Sequence, residues 1–124
     1  MQHAQHIGEK LHAYTRVYVS GPSSRVKDLV DLILIALHRE LRAEQLKLAL
    51  DATFHGRDTH SLPVSLPDPP ATWQGPYQRL AREVGLDEDM DKGWTVAAAL
   101  LDPVLAGHVP GESRWRPATR AWEA

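Results

Sequence analysis

The sequence predicts a mainly α protein, a single helical bundle of about five helices. Three observations point there. Apolar residues recur at three- and four-residue spacing in five segments. The one long interruption is a proline-rich stretch, residues 57–71, with four prolines between Pro63 and Pro70. No segment shows the sustained two-residue alternation of a half-buried strand. A chain of 124 residues with 43% hydrophobic content has room for one core. It buries roughly two thirds of the surface its unfolded chain exposes.

The elements follow in order. Residues 3–16 place Ala4, Ile7, Leu11 and Tyr14 on one stripe. Residues 17–22, ending Ser20-Gly21-Pro22, predict a turn, and Ser23 or Ser24 can cap the next helix. Val26, Leu29, Val30, Ile33 and Leu37 form its buried stripe. Leu32, Leu34 and Ile35 make its later turns apolar nearly all round, which places it centrally. A third helix is expected over 43–54, with Leu46, Ala49, Leu50 and Phe54 inward and Gly56 as its stop. The connector is expected to cross the bundle with Leu62, Val64 and Leu66 as its attachments. Thr72 is the expected cap of a fourth helix carrying Trp73, Tyr77, Leu80, Ala81 and Val84 on one face and ending at Gly85. Residues 87–91 are acidic, a charge that a helix N-terminus favours. The fifth helix turns Met90, Trp94, Ala97 and Leu101 inward until Pro103 bends or stops it. Residues 1–107 thus form the helical domain. Residues 108–124 are a Pro-, Arg- and Trp-bearing tail in which Trp115 and Trp122 are candidate attachments.

Composition excludes several function classes. The net charge is -2, with eight basic against seven acidic residues over 1–60 and six against nine over the rest. Neither part is a basic tail, and there is no DNA-binding signal. The absence of cysteine excludes a disulfide scaffold and a thiolate zinc site. No apolar run has the length of a membrane span, and residues 1–10 lack a signal-peptide core, so a cytoplasmic location is expected. His3 and His6 share a helical face, but no third ligand converges by spacing, and no metal set is assigned. Asp87-x-Asp89-x-Asp91 lacks the glycine and the terminal glutamate of a calcium loop at the required places. Arg114, Arg116 and Arg120 alternate with Trp115 and Trp122 as an RNA-stacking segment does, although indoles packed on the bundle give the same pattern. Thr59-His60 can contact a substrate or fix the loop by a hydrogen bond.

The strongest chemical constellation lies on the first two helices. The second opens Arg25-Val26-Lys27-Asp28-Leu29-Val30-Asp31, which sets Asp28 and Asp31 three residues apart on one face. Like charges at this spacing repel unless neighbours neutralise them, and Arg25 and Lys27 can do so locally. That alone describes a charge-balanced first turn. A short turn between the helices also lets Lys10 or Arg16 reach the same carboxylates. An ammonium group there suits the oxygens of a triphosphate, and an aspartate beside it can act as a base or hold the lysine in place.

These residues resemble the AbiEii/AbiGii-type nucleotidyltransferase toxins. The resemblance rests on Glu9-Lys10-Leu11-His12-Ala13, on Arg25 to Leu32, on Thr53-Phe54, on Thr59-His60-Ser61-Leu62-Pro63, on Pro69-Pro70-Ala71-Thr72-Trp73 and on Leu101-Asp102-Pro103-Val104-Leu105. It covers the chain to about residue 107. It implies transfer of a nucleotide from a nucleoside triphosphate to an RNA acceptor, with a cognate antitoxin as partner. In the family pattern Lys10 matches a lysine and Asp28, with Asp31 close behind, an aspartate; Asp28 and Asp31 are thus the expected catalytic carboxylates, and Lys10 with the nearby Arg16, Arg25 and Lys27 the expected nucleotide-binding residues. Magnesium and a nucleoside triphosphate are implied for the complete enzyme and no cofactor for this chain alone. The family's Gly-Ser and spaced Asp metal motif is not here, since no glycine is followed by serine. The chain is therefore expected to be the C-terminal half of such a toxin, from a truncated or split gene or a mis-assigned start, and inactive alone. The alternative expectation is a non-catalytic helical remnant or interaction module that binds an antitoxin or RNA.

Overall fold

The computed structural model describes residues 2–15, 25–57 and 61–124. Among them are five α-helices: α1 (Gln2–Thr15), α2 (Arg25–His38), α3 (Ala43–Arg57), α4 (Gln74–Val84) and α5 (Met90–Leu105). Three short strands, β1 (Leu41–Arg42), β2 (Arg114–Arg116) and β3 (Ala121–Glu123), form an antiparallel sheet in that order. The protein is mainly α, as its periodicity predicts. No helix among the described residues is long and apolar enough to cross a membrane.

The first stripe is buried as its spacing requires: Ala4, Ile7, Leu11 and Tyr14 all face inward. α1 packs on α2 and α3. Its approach to α3 depends on Gly8, because a β-carbon there would lie 2.7 Å from Thr53 Oγ1. α2 is the central element, touching α1, α4 and α5; Val26, Leu29, Val30, Leu32, Ile33 and Ala36 are buried on one side of it, with Leu34, Ile35 and Leu37 half-buried. The turn and Ser caps expected before α2 lie outside the described residues, as does Thr59-His60.

Several predicted boundaries shift for local reasons. α3 continues through Gly56 to Arg57, because an α-helical glycine costs only about 1 kcal/mol and does not by itself end a helix. Thr72 does not cap α4. Ala71–Trp73 form a 3-10 turn that leads into the helix, with no side-chain cap. Pro76 is accommodated in the first turn, where no intrahelical N–H bond is required. Pro103 does not stop α5, which runs on to Leu105; a proline this close to the end removes one bond from the last turn only. Asp89 caps α5, its carboxylate accepting from the Asp91 N–H at 2.9 Å.

The connector is held differently from its apolar pattern. Leu66 is buried and Leu62 half-buried, but Val64 is 79% exposed. Polar donors take over the fastening: the Tyr14 hydroxyl and the Trp94 indole N–H both donate to the Pro67 carbonyl, at 2.6 and 3.1 Å. The Leu66 N–H donates to Asp102 Oδ1 at 2.7 Å. A proline-rich segment has few N–H groups but all its carbonyls, so it is naturally held by donors from elsewhere. Residues 108–124 also fold onto the bundle. Trp115 is fully buried and donates to the Ala36 carbonyl at 2.8 Å, while Trp122 donates to that of Leu100 at 2.9 Å. The two indoles meet edge to face at 5.7 Å, turned inward rather than offered for base stacking.

Candidate functional site

Helix α1 carries Lys10 one position before the buried Leu11, so its stem follows the helix surface and its ammonium reaches the first turn and a half of α2. The Nζ atom lies 2.8 Å from Asp31 Oδ2 and 3.7 Å from Asp28 Oδ1. Arg25, three residues before Asp28 on α2, brings its Nη1 to 3.0 Å from Asp28 Oδ2. Two cations and two carboxylates from two helices therefore meet at one place. The like-charge repulsion expected between Asp28 and Asp31 is relieved by Lys10 bridging both.

The two carboxylates differ in setting. Asp28 is nearly enclosed, its side chain 10% exposed, whereas that of Asp31 is 27% exposed. Although Arg25 is within ion-pairing distance of Asp28 Oδ2, that atom receives no aligned hydrogen bond. It gains the arginine's charge without the directional bond. Burial consequently dominates and pushes the Asp28 carboxyl above its ordinary range, against the pull of Arg25 and Lys10 and with the help of Asp31. Lys10 is shifted upward, chiefly by its hydrogen bond to Asp31 and against the effect of its partial burial. It is charged throughout the neutral range. A lysine with one donor engaged by Asp31 and a side chain 34% exposed can still offer a proton to an anionic oxygen.

The structure brings together Lys10, Arg25, Asp28 and Asp31 of the predicted residues. Lys27 is exposed and makes no ion pair with them. Arg16 lies outside the described residues. The set does not fit magnesium: Lys10 and Arg25 already neutralise both carboxylates, and among the described residues no three His, Asp or Glu side chains converge for a metal. A second feature, around Tyr77, Gly93 and Arg120, was not singled out from the sequence. Its signal is Gly93 alone, a glycine inside α5, where close packing against Tyr77 and Ile33 leaves no room for a side chain.

A lysine held by two aspartates of a neighbouring helix, on a helical scaffold with one proline-rich strap, describes the class of a helical module with a charged two-helix site. A family model described as nucleotidyl transferase AbiEii toxin, Type IV TA system, matches residues 1–106. The chain belongs to this nucleotidyltransferase toxin family, and membership in a toxin–antitoxin family implies an antitoxin as partner. No curated protein and no solved structure matches it significantly.

Proposed function

We propose that this chain is the helical part of a toxin that transfers a nucleotide from a nucleoside triphosphate to an RNA acceptor. The observation that carries the reading is the bridge from Lys10 to Asp31 and Asp28, and it is supported by the match of residues 1–106 to the nucleotidyltransferase toxin family. In this reading Lys10 meets the triphosphate oxygens. Asp31 and Asp28 aim its ammonium group, and Arg25 steadies Asp28 from the far side. Charge building on the transferring phosphoryl group requires fixed positive charge, and one lysine supplies only part of it. The metal-holding carboxylates would come from a core bearing the Gly-Ser motif, which these 124 residues lack.

The chain alone should then bind nucleotide without transferring it. Equilibrium dialysis with labelled ATP measures the first property, and Lys10→Ala should weaken binding about tenfold while Lys27→Ala changes it little, as expected for loss of one charge-assisted bond. Incubation with labelled nucleoside triphosphates, magnesium and bulk RNA measures the second. Transfer above that of a Lys10→Ala, Asp28→Ala control, or dependence on Lys27 rather than Lys10, rejects the assignment. The charge balance of the cluster favours one other reading, a non-catalytic module that binds antitoxin or RNA. Absence of nucleotide binding with retained binding of an antitoxin or RNA selects it.

A further inference from the structure

Leu41 and Trp115 pair inward across β1 and β2, so strand alternation turns their neighbours Arg42 and Arg114 outward. The two arginines stand directly opposite each other and both are exposed. Like charges in that position destabilise a sheet unless something neutralises them. Among the described residues neither arginine makes an ion pair. Glu123 faces Arg114 from β3, but it is taken by Arg116 at 3.6 Å and by the Thr119 hydroxyl at 3.0 Å. Glu40 is taken by Arg116 at 3.1 Å. Glu44 and Glu112, on the adjoining segments, pair with neither arginine.

Arg42 and Arg114 line a cavity of about 90 Å³ together with His3 of α1, Gln45 of α3 and the neutralised Glu40. That is far below the range of about 300–1,000 Å³ for a drug-sized ligand, so it admits one anionic group of a longer molecule. Two guanidinium groups with imidazole and amide N–H donors beside them suit a phosphate. His3 also joins this place to the Lys10 cluster. At about 100° per residue, His3 and Lys10 leave α1 within about 20° of each other, and His6 within about 60° of both. His6 is exposed, and His3 and Lys10 are half-buried. Glu9, the acidic residue of α1, leaves about 100° away from Lys10 and accepts from Gln5. Seven residues of helix separate the two ends by about 10 Å. A stacked strand covers that length in about three nucleotides, at about 3.4 Å each.

We propose that a single-stranded RNA acceptor sets one backbone phosphate between Arg42 and Arg114 and follows the His3–His6 edge of α1 to bring its end to Lys10, a path that rests on the nucleotidyl-transfer reading of that cluster. Contact is through phosphates rather than stacked bases, because Trp115 and Trp122 are turned inward onto carbonyls of the bundle. Binding is then tolerant of sequence and sensitive to salt.

Fluorescence anisotropy of the full chain with a labelled uridine dodecamer, over a series of salt concentrations, reads the path. The parent should bind saturably, its affinity falling linearly with salt on logarithmic axes. Arg42→Gln and Arg114→Gln should each weaken binding about tenfold, as for loss of one charge-assisted contact, and flatten the salt slope by about 0.7. His6→Ala should weaken it about threefold. Arg79→Gln, which removes an exposed arginine from α4, should leave it unchanged. Because Arg42 and Arg114 repel each other, neither of their variants should melt lower than the parent. Equilibrium dialysis of the parent with labelled ATP, run alongside, tests the Lys10 reading by itself. ATP binding without RNA binding, or with RNA binding as sensitive to Arg79→Gln as to the arginine pair, overturns the path alone. RNA binding through the pair without ATP binding rejects the nucleotide site, and the path falls with its end point. A clear loss of stability in either arginine variant also overturns the path, since that guanidinium would then serve the fold.

Discussion

Asp28 is where burial and ion pairing oppose each other on one carboxylate, and burial wins. Its folded value lies above its unfolded one, so the native state keeps the proton longer than the unfolded chain does. The stabilising effect of that proton is complete below the ordinary aspartate value, about 3.9. It is lost as pH rises through the folded value and stays lost above it. Asp28→Asn removes the titration while retaining the shape. The stability of the parent relative to Asp28→Asn should therefore be greatest at acid pH and fall as pH is raised toward neutrality, which melts across that range measure. A difference that instead grows with pH would mean that Arg25 and Lys10 outweigh burial. That Lys10 or Arg16 could meet Asp28 and Asp31 was legible, because three-residue spacing and a short expected turn limit which charges can meet; that Lys10 reaches both carboxylates is seen only in the structure. The enclosure of Asp28 was not, since it depends on where α1 lies over the start of α2 and no local pattern records that.

Helices declare themselves through one repeating face, whereas a strap does not. The stripes of α1 and α2 are buried nearly residue for residue. In the connector, Leu62, Val64 and Leu66 alternate identically, yet only Leu66 is deeply buried. What distinguishes it is polar and comes from distant segments: the Asp102 carboxylate takes its N–H, and the adjoining Pro67 carbonyl accepts from both Tyr14 and Trp94. Alternation cannot carry that information. The same limit applies to β1, two residues whose strand identity exists only because Leu41 and Arg42 pair with Trp115 and Arg114. Leu66→Ala should cost roughly 2–5 kcal/mol, as for a buried leucine in a formed core. Val64→Ala should stay within about 0.5 kcal/mol. Chemical denaturation of the two variants decides it, and equal losses would show that the strap is held along its whole length.

At the scale of the whole molecule, the family match ends at residue 106 but the core does not. Leu29 and Ile33 of α2, Tyr77 of α4 and Leu101 of α5 form one buried cluster, and Trp115 belongs to it although it lies beyond the match. The reason is geometric. α2 is apolar nearly all round, so α1, α4 and α5 leave part of its far end to be covered, and the Trp115 indole closes it with a bond to the Ala36 carbonyl. Pairing β2 with β1 fixes the register that brings Trp115 inward, and Trp122 follows from the opposing strand onto α5. If the cluster is one cooperative unit, a deletion at either end of it must be felt throughout. Leu29→Ala should cost roughly 2–5 kcal/mol and Trp115→Ala about 3–5 kcal/mol. Both should lower a single thermal transition followed by helix content and by tryptophan fluorescence together. Two transitions, with Trp115→Ala moving only the fluorescence one, would make residues 108–124 a separate appendage and leave the helices to fold without them.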